Sequence, residues 1–133
     1  MQSQRGVTLL ELMIVLVVIG ILTVIAVPSY REQVNKGNRA ETRALMYEVL
    51  QKEERFYSEN GTFTTNLANM GYVAPLKNGR KTHVVTVAVG ATGALTTSVN
   101  VTATALNDGK CATMTLASTQ QTSATGTDPS TCW

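Results

Sequence analysis

The chain is poor in the side chains that do chemistry. Its 133 residues include one histidine, His83, and one tryptophan. No cysteine, second histidine or acidic cluster stands at ligand spacing from His83, so it reads as a surface or strand-edge residue and not as a metal ligand. There is no Ser/His/Asp set, no glycine-rich phosphate loop and no catalytic carboxylate pair. The reading is a protein that is not an enzyme and that needs no metal or cofactor. Acids are scarce beyond Asn60, where only Asp108 and Asp128 occur. Calcium wants several carboxylate oxygens, which argues against a calcium-built loop. Aromatics are 5% of the chain, and Tyr30, Tyr47, Phe56 and Tyr57 read as packing residues rather than a stacking path. A formal net charge of +2 excludes a strongly basic nucleic-acid binder. Asn60-Gly61-Thr62 and Asn100-Val101-Thr102 fit the glycosylation pattern by chance.

What the chain does have is one long apolar run at its start. Val7 to Val27 is 21 residues, about 31 Å as helix and so matched to a hydrocarbon core of about 30 Å. Glu11 interrupts it, and an ionisable group in such a span asks for a partner. A secretory signal needs an uncharged apolar region and a small-residue cleavage site. Glu11 spoils the first and Ala26-Val27-Pro28 is a poor version of the second, so the segment is expected to be kept. Gly20 and Pro28 are its weak points as helix. Gly costs about 1 kcal/mol relative to Ala, and Pro28 removes a donor and clashes with the carbonyl of Val24.

Residues 29–59 continue as a helix laced with charge. Ala40, Ala44, Tyr47, Gln51 and Glu54 share one side, with Leu45, Val49 and Phe56 adjoining, and Met46, Leu50 and Tyr57 complete a moderately amphipathic pattern. Gly37-Asn38 is a candidate break, and Asn60-Gly61 a stop. Residues 60–81 read as a connecting loop with one short helical turn. The period then changes to alternation in His83–Val89, Leu95–Thr104 and Cys111–Leu116, separated by turns at Gly90–Gly93 and Asn107–Gly109. The expectation is an α+β fold: a long N-terminal helix whose second half packs on an antiparallel β-meander of three to four strands, with the Thr-rich face in water. Residues 118–131 read as loop.

Cys111 and Cys132 are the only cysteines. A pair in a small domain beside a membrane-targeting segment reads as one disulfide in an oxidising compartment, the alternative being two unpaired buried thiols. Closing such a loop is worth about 3 kcal/mol in the chain-entropy model. The charge around the span pulls the other way. Arg31, Lys36, Arg39 and Arg43 outnumber Arg5, and the positive-inside rule taken alone would leave the head in the cytoplasm.

Gly6, Val7-Thr8-Leu9-Leu10-Glu11-Leu12, the apolar run and Pro28, set behind a short leader with a basic residue, resemble a type IV pilin. The six-residue leader resembles the type IVa group, and Asp108-Gly109-Lys110-Cys111 with Thr131-Cys132-Trp133 looks like the PilE-like minor pilins. The motif resemblance covers residues 5–31, while the head is similar in pattern. It implies a leader at 1–6, cleavage by a prepilin peptidase between Gly6 and Val7, and N-methylation of Val7, where the family usually has Phe. It further implies that Glu11 pairs with the N-terminal amine of a neighbouring subunit, that Gly20 and Pro28 flank a segment that melts in filaments, and that Cys111 and Cys132 bound a C-terminal loop. Residues 7–28 would polymerise and 29–133 would form the head. The implied partners are other pilin subunits, the peptidase and the inner-membrane assembly machinery. The head would lie in the periplasm before assembly and in an extracellular pilus after it, serving motility and adhesion.

Three functional classes follow. The first is a filament subunit, a minor pilin. The second is a DNA-uptake pilin whose head is a receptor, using Lys77, Arg80 and Lys81 with Lys110 near in space; the bland alternative for these cations is a solvated loop. The third, a pseudopilin of type II secretion, is disfavoured because a cysteine pair stands where calcium would be held.

Overall fold

The structure, a computed structural model, describes residues 6–133, so Arg5 and the start of the expected leader lie outside the described residues. A single helix, α1, runs over Leu9–Asn60. Thr8 starts it: its hydroxyl accepts the Glu11 backbone N–H at 3.2 Å, satisfying one of the orphan donors of the first turn. Gly61 stops it, with φ at 72° in the left-handed region that favours glycine. The helix runs on through Gly37-Asn38 and past Pro28, where the sequence offers a break and a kink or break. Losing one donor at Pro28 does not end a helix whose neighbouring turns remain bonded, and the Asn38 carbonyl accepts an extra bond from the Thr42 hydroxyl at 2.7 Å.

The chain divides into two compact units, one ending at Asn35 and one comprising Lys36–Trp133. In the first, the large apolar side chains from Val7 to Tyr30 are exposed. This part of α1 is long and apolar enough to be the candidate membrane span among the described residues, and none of it is buried.

The second unit holds the core. After α1 come a 3-10 turn at Leu67–Met70 and five strands: β1 (Leu76–Lys77), β2 (His83–Val89), β3 (Val99–Ala105), β4 (Thr113–Ala117) and β5 (Thr122–Thr125). They form one antiparallel sheet in sequential order. The expected three to four strands become five because β1 is two residues long and β5 is a polar edge strand with almost no burial, so neither carries an alternation signal. A second 3-10 turn, Pro129–Thr131, shares the expected C-terminal loop with β5. Val85, Val87, Val99, Val101, Ala103, Met114 and Leu116 point inward against Met46, Val49 and Leu50 of α1. Thr86, Thr102, Thr115 and Ser123 form a row across the opposite face.

The buried face of α1 keeps Met46, Val49 and Leu50 of the apolar pattern and adds polar residues to them. It runs through Asn38, Arg39, Thr42, Met46, Val49, Leu50 and Glu53, while Ala40, Ala44, Tyr47, Gln51 and Glu54 face solvent. Polar groups join this stripe because each has a dedicated partner. Glu53 is fully buried, and its Oε2 accepts the Thr64 N–H at 3.0 Å. Burial raises its pKa, the Thr64 bond opposing.

Candidate nucleic-acid interface

Antiparallel register decides where the loops meet. His83 faces Ala105 and Thr113 faces both Thr104 and Thr125. The β1–β2 loop (78–82), the β3–β4 loop (106–112) and the C-terminal segment (126–133) therefore gather at one end of the sheet. The β2–β3 loop (90–98) and the β4–β5 loop (118–121) gather at the other. Apart from His83, the charged residues after Asn60 are Lys77, Arg80, Lys81, Asp108, Lys110 and Asp128. Every one of them is at the first end. The structure thus brings together the four cations that the sequence singles out, and all four are exposed.

The loops at this end are built, not loose. Asn78 is buried, and its Oδ1 accepts the backbone N–H groups of Thr82 at 2.7 Å and His83 at 3.0 Å. Its Nδ2 donates to the Thr82 hydroxyl at 2.9 Å. This ties the turn around Arg80 and holds Lys81 at a φ of 57°, a strained position for a residue with a Cβ. Gly79 beside it lies against the carboxylate end of the Glu41 side chain. In the other loop, Lys110 N donates to Asp108 Oδ1 at 3.2 Å. Leu106 N donates to the Thr82 carbonyl at 2.9 Å and joins the two loops.

Arg39 reaches this end from α1. Its Nε and Nη2 donate to the two carboxylate oxygens of Asp108 at 2.6 and 2.9 Å, a bidentate pair with both side chains buried. Burial pushes the Asp108 carboxyl up. The hydrogen bond and charge of Arg39, with backbone donors from Lys110 and Cys111, outweigh it and hold the group below its ordinary value. Asp108 is thus spoken for, which removes it as a free oxygen donor for calcium. Arg80 also leans on the helix, with Nη1 donating to Asn38 Oδ1 at 3.2 Å and Nε 3.9 Å from Glu41.

His83 departs from the sequence expectation. It is 1% exposed, because it shares the inward face of β2 with Val85 and Val87. Its Nδ1 lies 3.0 Å from the Thr82 hydroxyl. Burial lowers its pKa, with Asp108 opposing and Arg39 adding to the shift. The sequence reading also overlooked Arg39, Asn78 and Asp108 as builders of this end. Asn78-Gly79 and Asp108-Gly109 are turn dipeptides with side chains that bond the following backbone, and that signal was present.

Val7, Glu11, Gly20 and Pro28 belong to the first unit. Val7 and Glu11 are exposed at the start of α1, with Glu11 in the first helical turn. No neighbour lies within 4 Å of a Cβ built on Gly20. Cys111 and Cys132 are bonded, with Cα atoms 5.7 Å apart, and fix the C-terminal segment beside Lys110.

Residues 28–115 match the family described as "Type IV minor pilin ComP, DNA uptake sequence receptor". Residues 1–27 match the "Prokaryotic N-terminal methylation motif". Similar proteins include the fimbrial protein EcpC of Eikenella corrodens, 34% identical over 104 residues, covering 78% of this chain and 68% of that one. The type IV major pilin PilA of Myxococcus xanthus is 31% identical over 86 residues, 65% of this chain and 39% of its own length. The type IV major pilin PilE1 of Neisseria gonorrhoeae is 29% identical over 97 residues, 73% of this chain and 53% of its own. The alignment therefore spans about half of PilE1 and less of PilA. A match running over most of the helix-and-sheet head, joined to a methylation motif over the apolar segment, places the chain in the type IV pilin family.

Proposed function

We propose that the chain is a minor subunit of a bacterial type IV pilus whose head binds duplex DNA for uptake. The observation that carries the DNA reading is the gathering of Lys77, Arg80, Lys81 and Lys110 at one end of the sheet. The family matched by residues 28–115, described as a DNA uptake sequence receptor, supports it. Cations on short, bonded loops suit the regular spacing of phosphates, which set affinity and register.

The rest of the molecule is assigned to assembly. A prepilin peptidase cuts between Gly6 and Val7, Val7 is N-methylated, and Glu11 receives the amine of a neighbouring subunit. Gly20 and Pro28 let the segment between them yield. The chain is held in the inner membrane by residues 7–28 with its head in the periplasm, and passes to an extracellular filament through the inner-membrane machinery. The disulfide fits an oxidising compartment. The role is structural and receptive, without catalysis.

The test uses the full chain in non-ionic detergent, titrated with duplex DNA across a salt series. Retardation should weaken steeply with salt. Arg80→Gln with Lys81→Gln should lower the slope of log affinity against log salt by about two, near 0.9 per phosphate contact. Absent or salt-insensitive binding removes the DNA reading and leaves a filament subunit.

A further inference from the structure

We infer that α1 is a clamp for this interface: the Arg39–Asp108 fork is a positioning device that holds Lys110 in register with Arg80 and Lys81. The inference rests on the DNA reading above and adds a part that touches no DNA.

A buried ion pair is weak evidence for stability, because well-packed apolar residues of similar volume often serve as well. What a fork supplies and an apolar pair does not is orientation. Two parallel N–H···O bonds between planar groups permit one alignment. Here the alignment is passed straight to a cation. Asp108 Oδ1 accepts both Arg39 Nη2 at 2.9 Å and the Lys110 backbone N–H at 3.2 Å. The Lys110 carbonyl is held from the other side by the Asp128 N–H at 3.2 Å. Gly126 makes that approach feasible, since a Cβ there would collide with the same carbonyl. One residue before Arg39, Asn38 Oδ1 accepts Arg80 Nη1 at 3.2 Å. Adjacent helix residues thus hold both basic loops, and the Leu106–Thr82 bond links those loops directly.

Simple charge counting and the clamp make opposite predictions. Arg39→Lys keeps the charge and loses the fork, so counting predicts no change. Asp108→Asn deletes an anion from a DNA-facing end, so counting predicts tighter binding. The clamp predicts that both bind more weakly, by about three- to tenfold, with the salt slope reduced by about one as Lys110 loses its phosphate. Glu54→Gln is the control: it removes the same charge from an exposed position on α1 outside the clamp, and should bind as tightly as wild type or tighter. The full chain in detergent is titrated with duplex DNA at several salt concentrations, with circular dichroism confirming the fold of each variant. If Asp108→Asn does not fold, Arg39→Lys decides alone. Unchanged binding by Arg39→Lys, or tighter binding by a folded Asp108→Asn, overturns the clamp while the DNA reading stands. No salt-dependent binding by wild type overturns both.

Discussion

The two ends of the sheet are made from the same strands and differ in almost everything else. At one end, the close of β1, two short loops and the C-terminal segment carry Lys77, Arg80, Lys81, Asp108, Lys110 and Asp128, and the loops are tied to α1 by a buried fork and an amide. At the other, Gly90–Ser98 and Ser118–Gln121 carry no charge. One of them meets α1 through a gentler contact, the Tyr57 hydroxyl donating to the Thr96 carbonyl at 3.2 Å, while the Tyr57 ring stacks 4.6 Å from that of Phe63 just beyond the helix. The difference teaches where precision is spent. Stability needs only that both ends close over the core; a polyanion needs cations at defined positions, and only one end provides them.

This contrast can be broken at three points. The largest effect is expected from Arg39→Ala. It leaves Asp108 buried without its cation and should cost about 3–5 kcal/mol, read by denaturant unfolding of the full chain in detergent; a loss near zero would mean the charged end is not held by its fork. Next comes acid. His83 is buried with a lowered pKa, so the folded state resists a proton that the unfolded chain accepts. Its contribution is fully present above the ordinary 6.5 and is lost as pH falls below that value toward the folded one. Melting temperature should therefore drop on mild acidification, and His83→Gln should flatten that drop. An unchanged pH profile in the variant would remove His83 from the account. The smallest effect belongs to the uncharged end. Tyr57→Phe keeps the ring stack and loses one exposed hydrogen bond, so it should cost under about 1 kcal/mol and leave DNA affinity as it was. Weaker DNA binding by this variant would erase the distinction between the ends.

Much of this was legible in the chain and some was not. The apolar run, the Asn60-Gly61 stop, the short helical turn within residues 60–81 and the His83–Val89 strand follow from periodicity and turn residues, and each is found. The cysteine pair is found bonded. The polar members of the buried helix face are not legible, because Arg39 and Glu53 look like solvent charges until their partners, Asp108 and the Thr64 N–H, are brought in from 69 and 11 residues away. Local pattern carries no information about such partners. His83 was misread for a simpler reason: extending the Val87, Val85 alternation by one step places it inside. The family matched by residues 28–115 and the gathering of the four cations join the filament-subunit and DNA-uptake readings in one proposal.

One consequence of the lopsided charge concerns time rather than affinity. With cations at one end of the sheet and none at the other, the sheet and its loops carry a permanent electric moment along the strands. A distant polyanion exerts a torque on such a body as well as a pull, within a range set by the ionic atmosphere. The head would turn its charged end toward the duplex before touching it, and fewer collisions would be wasted on the wrong face.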